Sequence, residues 1–261
     1  MLDPKGLFEL NSDRPLTTIE SAVRKLRYAI MQGDLRPGQK LVEANLCREL
    51  DISRASLREA LRGLQTERLI DLVPNRGPSV AKLERRDVED IQGIWSLLTG
   101  EAVYRFAEIA GPAEISALET AFADVKRAVG SRVPLEVLVA TNNFFMTIAA
   151  RCGNAILRDL VVGLVSRINF LRAQALLHQG WNEHYSQEIA EVLEAIRAKN
   201  PGVARRAVQR HIASACASAQ QMIGGPPARP PSHAPKTAER PSKSRTSPPP
   251  RRGRSRRASV A

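Results

Sequence analysis

Apolar residues recur at helical spacing along most of this chain, and the points where that rhythm breaks divide it into elements. Ile19, Val23, Leu26 and Ile30 lie three or four apart and predict a helix with one apolar stripe. Thr17 or Thr18 offers a hydroxyl to the free N–H groups of its first turn, and the Gly- and Pro-containing segment 33–39 stops it. A second, short helix is expected over 43–50, burying Leu46, Cys47 and Leu50, with Asp51 and Ile52 forming the turn after it. Ser53 is placed to cap a third helix in which Leu57, Ala60, Leu61 and Leu64 share one face. Three helices with a tight turn before the third describe a helix-turn-helix.

Beyond that helix the period changes. The runs 69–74 and 79–83 are short and β-type, and Asn75 and Gly77 between them supply the backbone freedom of a hairpin tip. The expected unit over 16–84 is therefore a winged helix-turn-helix. From 85 to 223 the helical rhythm returns, broken near Gly111, between Gly130 and Pro134, and at Gly153, Gly180 and Pro201. About six helices of ordinary length result, and they predict an all-helical bundle. Ile156, Leu157, Leu160, Val161 and Leu164 are expected to turn inward as part of its core, with apolar surface left for a dimer contact. Residues 1–15 read as a flexible arm. Residues 224–261 hold 9 of the 17 prolines together with many Arg and Ser residues, too little apolar surface to offset ordering, so a disordered basic tail is expected there.

Composition agrees with a mostly α chain: 43% of residues are hydrophobic but only 4% are aromatic. No apolar run approaches the roughly 18 residues that span a bilayer, and the N-terminus has no basic segment followed by an apolar core, so a cytoplasmic protein without a membrane partner is expected. Cys47, Cys152 and Cys216 stand far apart in helical stretches and are expected to be reduced. The net charge of +12 is unevenly spread. Ten Lys or Arg and one Glu fall in 224–261, so that segment carries +9 and the rest of the chain only +3. Charge alone thus says little about the folded part, and local pattern must carry the argument.

That pattern lies in the third helix. Arg54, Arg58 and Arg62 form a cationic stripe beside the apolar face, and Ser53 and Ser56 place small hydroxyls near its N-terminal end. Arginine bridges guanine O6 and N7 or clamps phosphate, while short hydroxyls let a helix approach the DNA backbone closely. Arg76 and Gly77 at the wing tip are placed to reach phosphate or an adjoining minor groove. Three arginines alone would suit an ordinary solvated face; the turn before them and the wing after them favour a DNA reader. No nucleophile elbow, P-loop, C-x-x-C pair or dense His and carboxylate cluster is present, so an enzyme is not expected.

The segment 35–80 resembles the N-terminal domain of the GntR family of bacterial regulators, in its L-x-P-G-x-x-L turn, its I-S-R-x-x-L-R-E-A-L helix and its N-R-G wing. The resemblance implies operator contacts from Arg54, Ser56 and Arg58, with Arg76 and Gly77 beside them; Ala44 stands where relatives often carry a polar or basic contact. The segments 100–110, 142–157 and 192–212 are similar to the helical sensing domain of the FadR subfamily, the FCD domain. Many such domains hold a divalent metal with an Asp and a His four apart on one helix and two later His residues. The corresponding positions here are Thr141, Phe145, Ile189 and His211, of which only His211 can ligate, so no metal and no cofactor are expected.

The resemblance implies a homodimeric transcription regulator, usually a repressor, that binds a pseudo-palindromic double-stranded operator and answers to a small-molecule effector such as an organic acid. Arg167, Arg172 and His211 are candidates to hold that effector; the two arginines equally suit the surface or a dimer interface, and His211 equally suits a vestige. His178 and His184 read as solvated loop residues. The tail Arg251, Arg252, Arg254, Arg256 and Arg257 suggests either salt-sensitive, sequence-independent DNA contact or a solubilising extension. The alternative to a regulator is an architectural nucleic-acid-binding protein acting through that tail.

Overall fold

A computed structural model describes residues 15–179 and 183–223, apart from the side chains of 177–179, 183 and 222. The arm and basic tail expected at the two ends lie almost wholly outside these residues. In chain order the elements are α1 Thr18–Gln32, α2 Glu43–Leu50, α3 Arg54–Thr66, β1 Ile70–Val73, β2 Gly77–Val80, α4 Arg85–Ile109, α5 Pro112–Ser131, α6 Pro134–Ala150, α7 Ala155–Gln179, α8 Glu183–Arg197 and α9 Pro201–Ile223. The chain is mostly helical, with a winged helix-turn-helix followed by a helical bundle.

Local chemistry explains the boundaries. Thr17 and Glu20 close a capping box at the start of α1: the Thr17 hydroxyl accepts from the Glu20 amide at 3.2 Å and the Glu20 carboxylate from the Thr17 amide at 2.8 Å. Gly33, at φ 84°, ends the helix in a left-handed conformation that a side chain would strain. Leu26 and Ile30 of the expected stripe are buried, but Ile19 is exposed and Ala22 and Met31 take part instead. The apolar face thus drifts around the helix as it docks against α3.

The turn at the tip of the wing is shorter than the sequence suggests, and the second strand ends at Val80 rather than at 83. β2 begins at Gly77 and pairs antiparallel with β1 in the register Ile70 to Val80 and Val73 to Gly77, so the second strand starts two residues before Ser79. Gly77, at φ 72°, closes the tip without strain. Residues just before α2 pin the other edge, since the Leu41 amide donates to the Pro78 carbonyl and the Val80 amide to the Gln39 carbonyl, both at 2.9 Å. Pro78, which has no N–H, still serves this edge through its carbonyl.

In the bundle α9 packs along α4 and is flanked by α7 and α8, while α5 packs on α6. Its core holds Trp95, Val103, Phe106, Phe144, Phe170, Ile196 and Ile212. The stripe of α7 divides: Leu157 and Val161 are buried, but Ile156 is 75% and Leu160 53% exposed. Positions four apart share a helix face, so Ile156 and Leu160 point outward together. Cys152 and Cys216 are buried free thiols and Cys47 is half-buried; burial pushes the Cys216 thiol up to about 11.

Candidate functional site

Two arrangements of side chains stand apart from ordinary packing, one on α3 and one inside the bundle. Leu57, Ala60, Leu61 and Leu64 lock α3 onto α1 and α2, which fixes the opposite face toward solvent. Ser53 caps the helix by accepting from the Ser56 amide at 3.1 Å, and the two hydroxyls lie 2.9 Å apart. Arg54, Arg58 and Arg62 are all exposed. The side chain of Arg58 remains 63% exposed although it pairs with Glu43 of α2 at 3.3 Å. Arg62 pairs with Glu59 at the same distance. Arg76 and Gly77 are exposed at the wing tip, on the hairpin that follows α3.

The second arrangement joins five helices. Arg172 of α7 is 3% exposed, and its guanidinium carbon lies 4.6 Å from the Trp95 ring centroid on α4 and 5.1 Å from that of Phe145 on α6. His211 of α9 is fully buried, stacked on the same Phe145 at 5.6 Å and met edge-on by Tyr185 of α8 at 5.3 Å. Tyr185 donates its hydroxyl to Thr141 at 3.1 Å, and His211 Nδ1 lies 3.0 Å from the Glu188 carboxylate. A carboxylate only accepts, so Nδ1 carries the hydrogen. Three polar atoms of this cluster are buried without a hydrogen-bond partner: Arg172 Nε, Arg172 Nη2 and His211 Nε2.

Of the residues proposed from sequence to hold an effector, Arg172 and His211 are therefore brought together around Phe145. Arg167 lies five residues earlier on α7, about 140° around the helix from Arg172, and is half-buried. His184 is exposed within α8 rather than in a loop, because that helix already begins at Glu183. The side chain of His178 lies outside the described residues. The sequence reading missed Trp95, Tyr185 and Glu188. Tyr185 and Glu188 stand three apart on one face of α8, a spacing that only gains meaning once α9 is known to pack there.

These residues do not fit a divalent metal. Phe145 and Ile189 offer no donor atom, the Thr141 oxygen accepts from Tyr185, and Glu188 holds His211 Nδ1, which leaves His211 Nε2 as a single ligand without companions. Among the described residues no group of three or more His, Cys, Asp or Glu is gathered to hold an ion.

Burial holds the His211 imidazole below its ordinary 6.5; the Glu188 hydrogen bond pulls the other way, and the Arg172 charge reinforces burial. Unfolded, the ring takes up a proton as pH falls through 6.5, whereas the folded protein resists it. The unfolded state then binds more protons, so His211 lowers stability below about pH 6.5 and contributes nothing above it. His211→Gln is expected to flatten melting temperature against pH between about 5 and 6.5 relative to the unaltered protein. Equal slopes in the two proteins would contradict this.

A winged helix-turn-helix that turns a Ser- and Arg-bearing helix to solvent, followed by a helical bundle with a polar core, is the architecture of a DNA-binding transcription regulator rather than an enzyme. Comparison with known proteins gives the family. Residues 18–80 match the bacterial regulatory proteins of the gntR family, and residues 90–214 match the FCD domain. The chain belongs to the GntR family and carries an FCD domain. It is 24% identical over 205 residues to the HTH-type transcriptional regulator YdhC of Bacillus subtilis, covering 78% of this chain and 92% of that protein. It is 21% identical over 214 residues to the HTH-type transcriptional repressor RspR of Escherichia coli, covering 82% and 93%. Among solved structures, Escherichia coli McbR/YncC shares the fold with a TM-score of 0.67 at 21% identity, over 79% of this chain and 99% of that one. Among the described residues no helix is long and apolar enough to cross a membrane.

Proposed function

We propose that this regulator is a homodimeric, effector-responsive repressor acting in the cytoplasm, with 16–84 as its DNA-binding part and 85–223 as its sensing and dimerising part. Ser53, Arg54, Ser56, Arg58 and Arg62 meet the major groove of a pseudo-palindromic operator, and Arg76 and Gly77 lie beside it. The exposed aliphatic pairs Ile94 and Leu97 on α4 and Ile156 and Leu160 on α7 supply apolar surface for a second copy of the chain. RspR, a similar protein over nearly its whole length, is a repressor, which supports the sign.

The observation that carries the effector reading is the buried, cationic Arg172 beside His211 in the bundle core. A buried charge without a counter-ion costs several kcal/mol, and an organic acid would remove that penalty. A ligand that binds one arrangement of the bundle better than another shifts the pair of recognition helices by that difference in affinity. The test is a mobility-shift selection of genomic fragments, followed by transcription from a selected promoter in vitro. Discrete sites that survive competitor DNA and lowered transcription are expected. Uniform, competitor-sensitive binding would count against a sequence-specific regulator, and raised transcription against a repressor.

A further inference from the structure

The atoms that Arg172 leaves without partners are not a random pair. Nε and Nη2 form one edge of the guanidinium, the two-pronged fork whose parallel N–H groups match the two oxygens of a carboxylate. The protein displays the filled form of this fork elsewhere: Arg27 grips Glu67 through the same two atoms, Nε to Oε2 at 2.9 Å and Nη2 to Oε1. In Arg172 the same edge is open, at 3% residue exposure and with Trp95 and Phe145 rings beside the guanidinium. Water cannot freely satisfy it there.

The second open atom has the opposite polarity. His211 gives its Nδ1 hydrogen to Glu188, so the neutral ring presents Nε2 as a lone pair that needs a donor. Phe145 is in contact with both Arg172 and His211, and Tyr185 meets the imidazole edge-on. The walls next to the open atoms are thus aromatic rings.

We infer that the core site takes a single carboxylate on the open fork of Arg172, carried by a flat apolar body with a hydroxyl or N–H directed to His211 Nε2. This rests on the effector reading above and narrows it to a class. A ligand with several carboxylates is disfavoured, since Arg172 supplies one fork and the remaining charges would face Glu188 or rings.

The test uses the full chain in buffer containing EDTA. Benzoate, 3-hydroxybenzoate and 4-hydroxybenzoate are compared with benzamide, citrate and inorganic phosphate by thermal shift and calorimetry, for the unaltered protein, Arg172→Lys and Arg172→Met. The aromatic carboxylates are expected to raise the melting temperature by a few degrees without added metal, the better hydroxybenzoate binding tighter than benzoate. Arg172→Lys keeps the charge but loses the fork and is expected to bind roughly tenfold or more weakly. Arg172→Met keeps the volume and is expected to melt no lower than the unaltered protein when ligand-free, because it removes a buried charge lacking its partner, and to show no response to carboxylate.

Benzamide binding as well as benzoate, a full response in Arg172→Met, a marked loss of ligand-free stability in that variant, or no response of the unaltered protein to any carboxylate would each overturn the inference. Operator affinity measured in parallel separates it from the wider reading. Phosphate or citrate that binds through Arg172 and releases DNA would discard the ligand class and leave effector control standing. Carboxylate binding through Arg172 with unchanged operator affinity would do the reverse.

Discussion

Replacing Arg58 with alanine is expected to weaken operator binding by about 1–3 kcal/mol per protomer, roughly 5- to 150-fold, and to change thermal stability by no more than about 0.5 kcal/mol. The residue sits one turn into α3, and the same helix buries Leu57 and Leu61 on its other side, so the backbone that carries Arg58 is held rigidly while the side chain is not. Its tie to Glu43 at 3.3 Å is a surface pair, worth little in water, and DNA must compete with it. Glu43→Gln therefore acts in the opposite direction: it frees the guanidinium, removes a carboxylate from beside the DNA, and should tighten binding several-fold at low salt. Fluorescence anisotropy with a selected genomic fragment, at two salt concentrations, measures both variants. If Arg58→Ala binds like the unaltered protein, α3 is not the reading helix.

That prediction rests on features legible before any coordinates. The spacing of Leu57, Leu61 and Leu64 fixed which face of α3 is buried, and Ser53 marked its first turn; the structure adds the Glu43 contact, which depends on how α2 crosses α3. The bundle was legible in a different measure. Gly111, Gly153 and Pro201 mark helix ends because their backbone chemistry is local, and the six-helix division followed. Which side of each helix faces in was less accessible. Adjacent aliphatic pairs recur in successive turns of α7, Ile156-Leu157, Leu160-Val161 and Leu164-Val165, so period alone could not tell Leu157 and Val161, which are buried, from Ile156 and Leu160, which are not. The core site was half visible: His211 and Arg172 are conspicuous as polar residues in apolar surroundings, but Trp95, Phe145, Tyr185 and Glu188 approach them from three other helices. Nothing in a one-dimensional pattern joins positions 95, 145 and 188.

The contact least visible in the sequence makes the second large prediction. Arg27 is a charged residue on the buried side of α1; it grips Glu67 at the C-terminal end of α3, and Glu67 also accepts from the Ser166 hydroxyl of α7 at 2.7 Å. One carboxylate thus ties α1 and α3 of the DNA-binding part to the long helix that carries Arg172, about 9 Å further along. Glu67→Ala leaves the Arg27 fork buried without this acceptor and frees the Ser166 hydroxyl. Breaking a fully buried pair costs about 3–5 kcal/mol. The Glu67 side chain keeps 24% exposure, so about 2–4 kcal/mol is expected here, or roughly 5–15 °C in melting temperature. Ser166→Ala removes one charge-assisted hydrogen bond and should cost about 1–2 kcal/mol, without uncovering a charge. The pair of variants separates stability from communication. A double-mutant cycle on melting temperature gives the energy of the Ser166 contact. The change in operator affinity on adding a core ligand gives its share in coupling, which Ser166→Ala should reduce while each binding event alone persists. Undiminished coupling in Ser166→Ala would mean that the bundle moves the recognition helices through another route, with Glu67 serving only to hold α1 and α3 together.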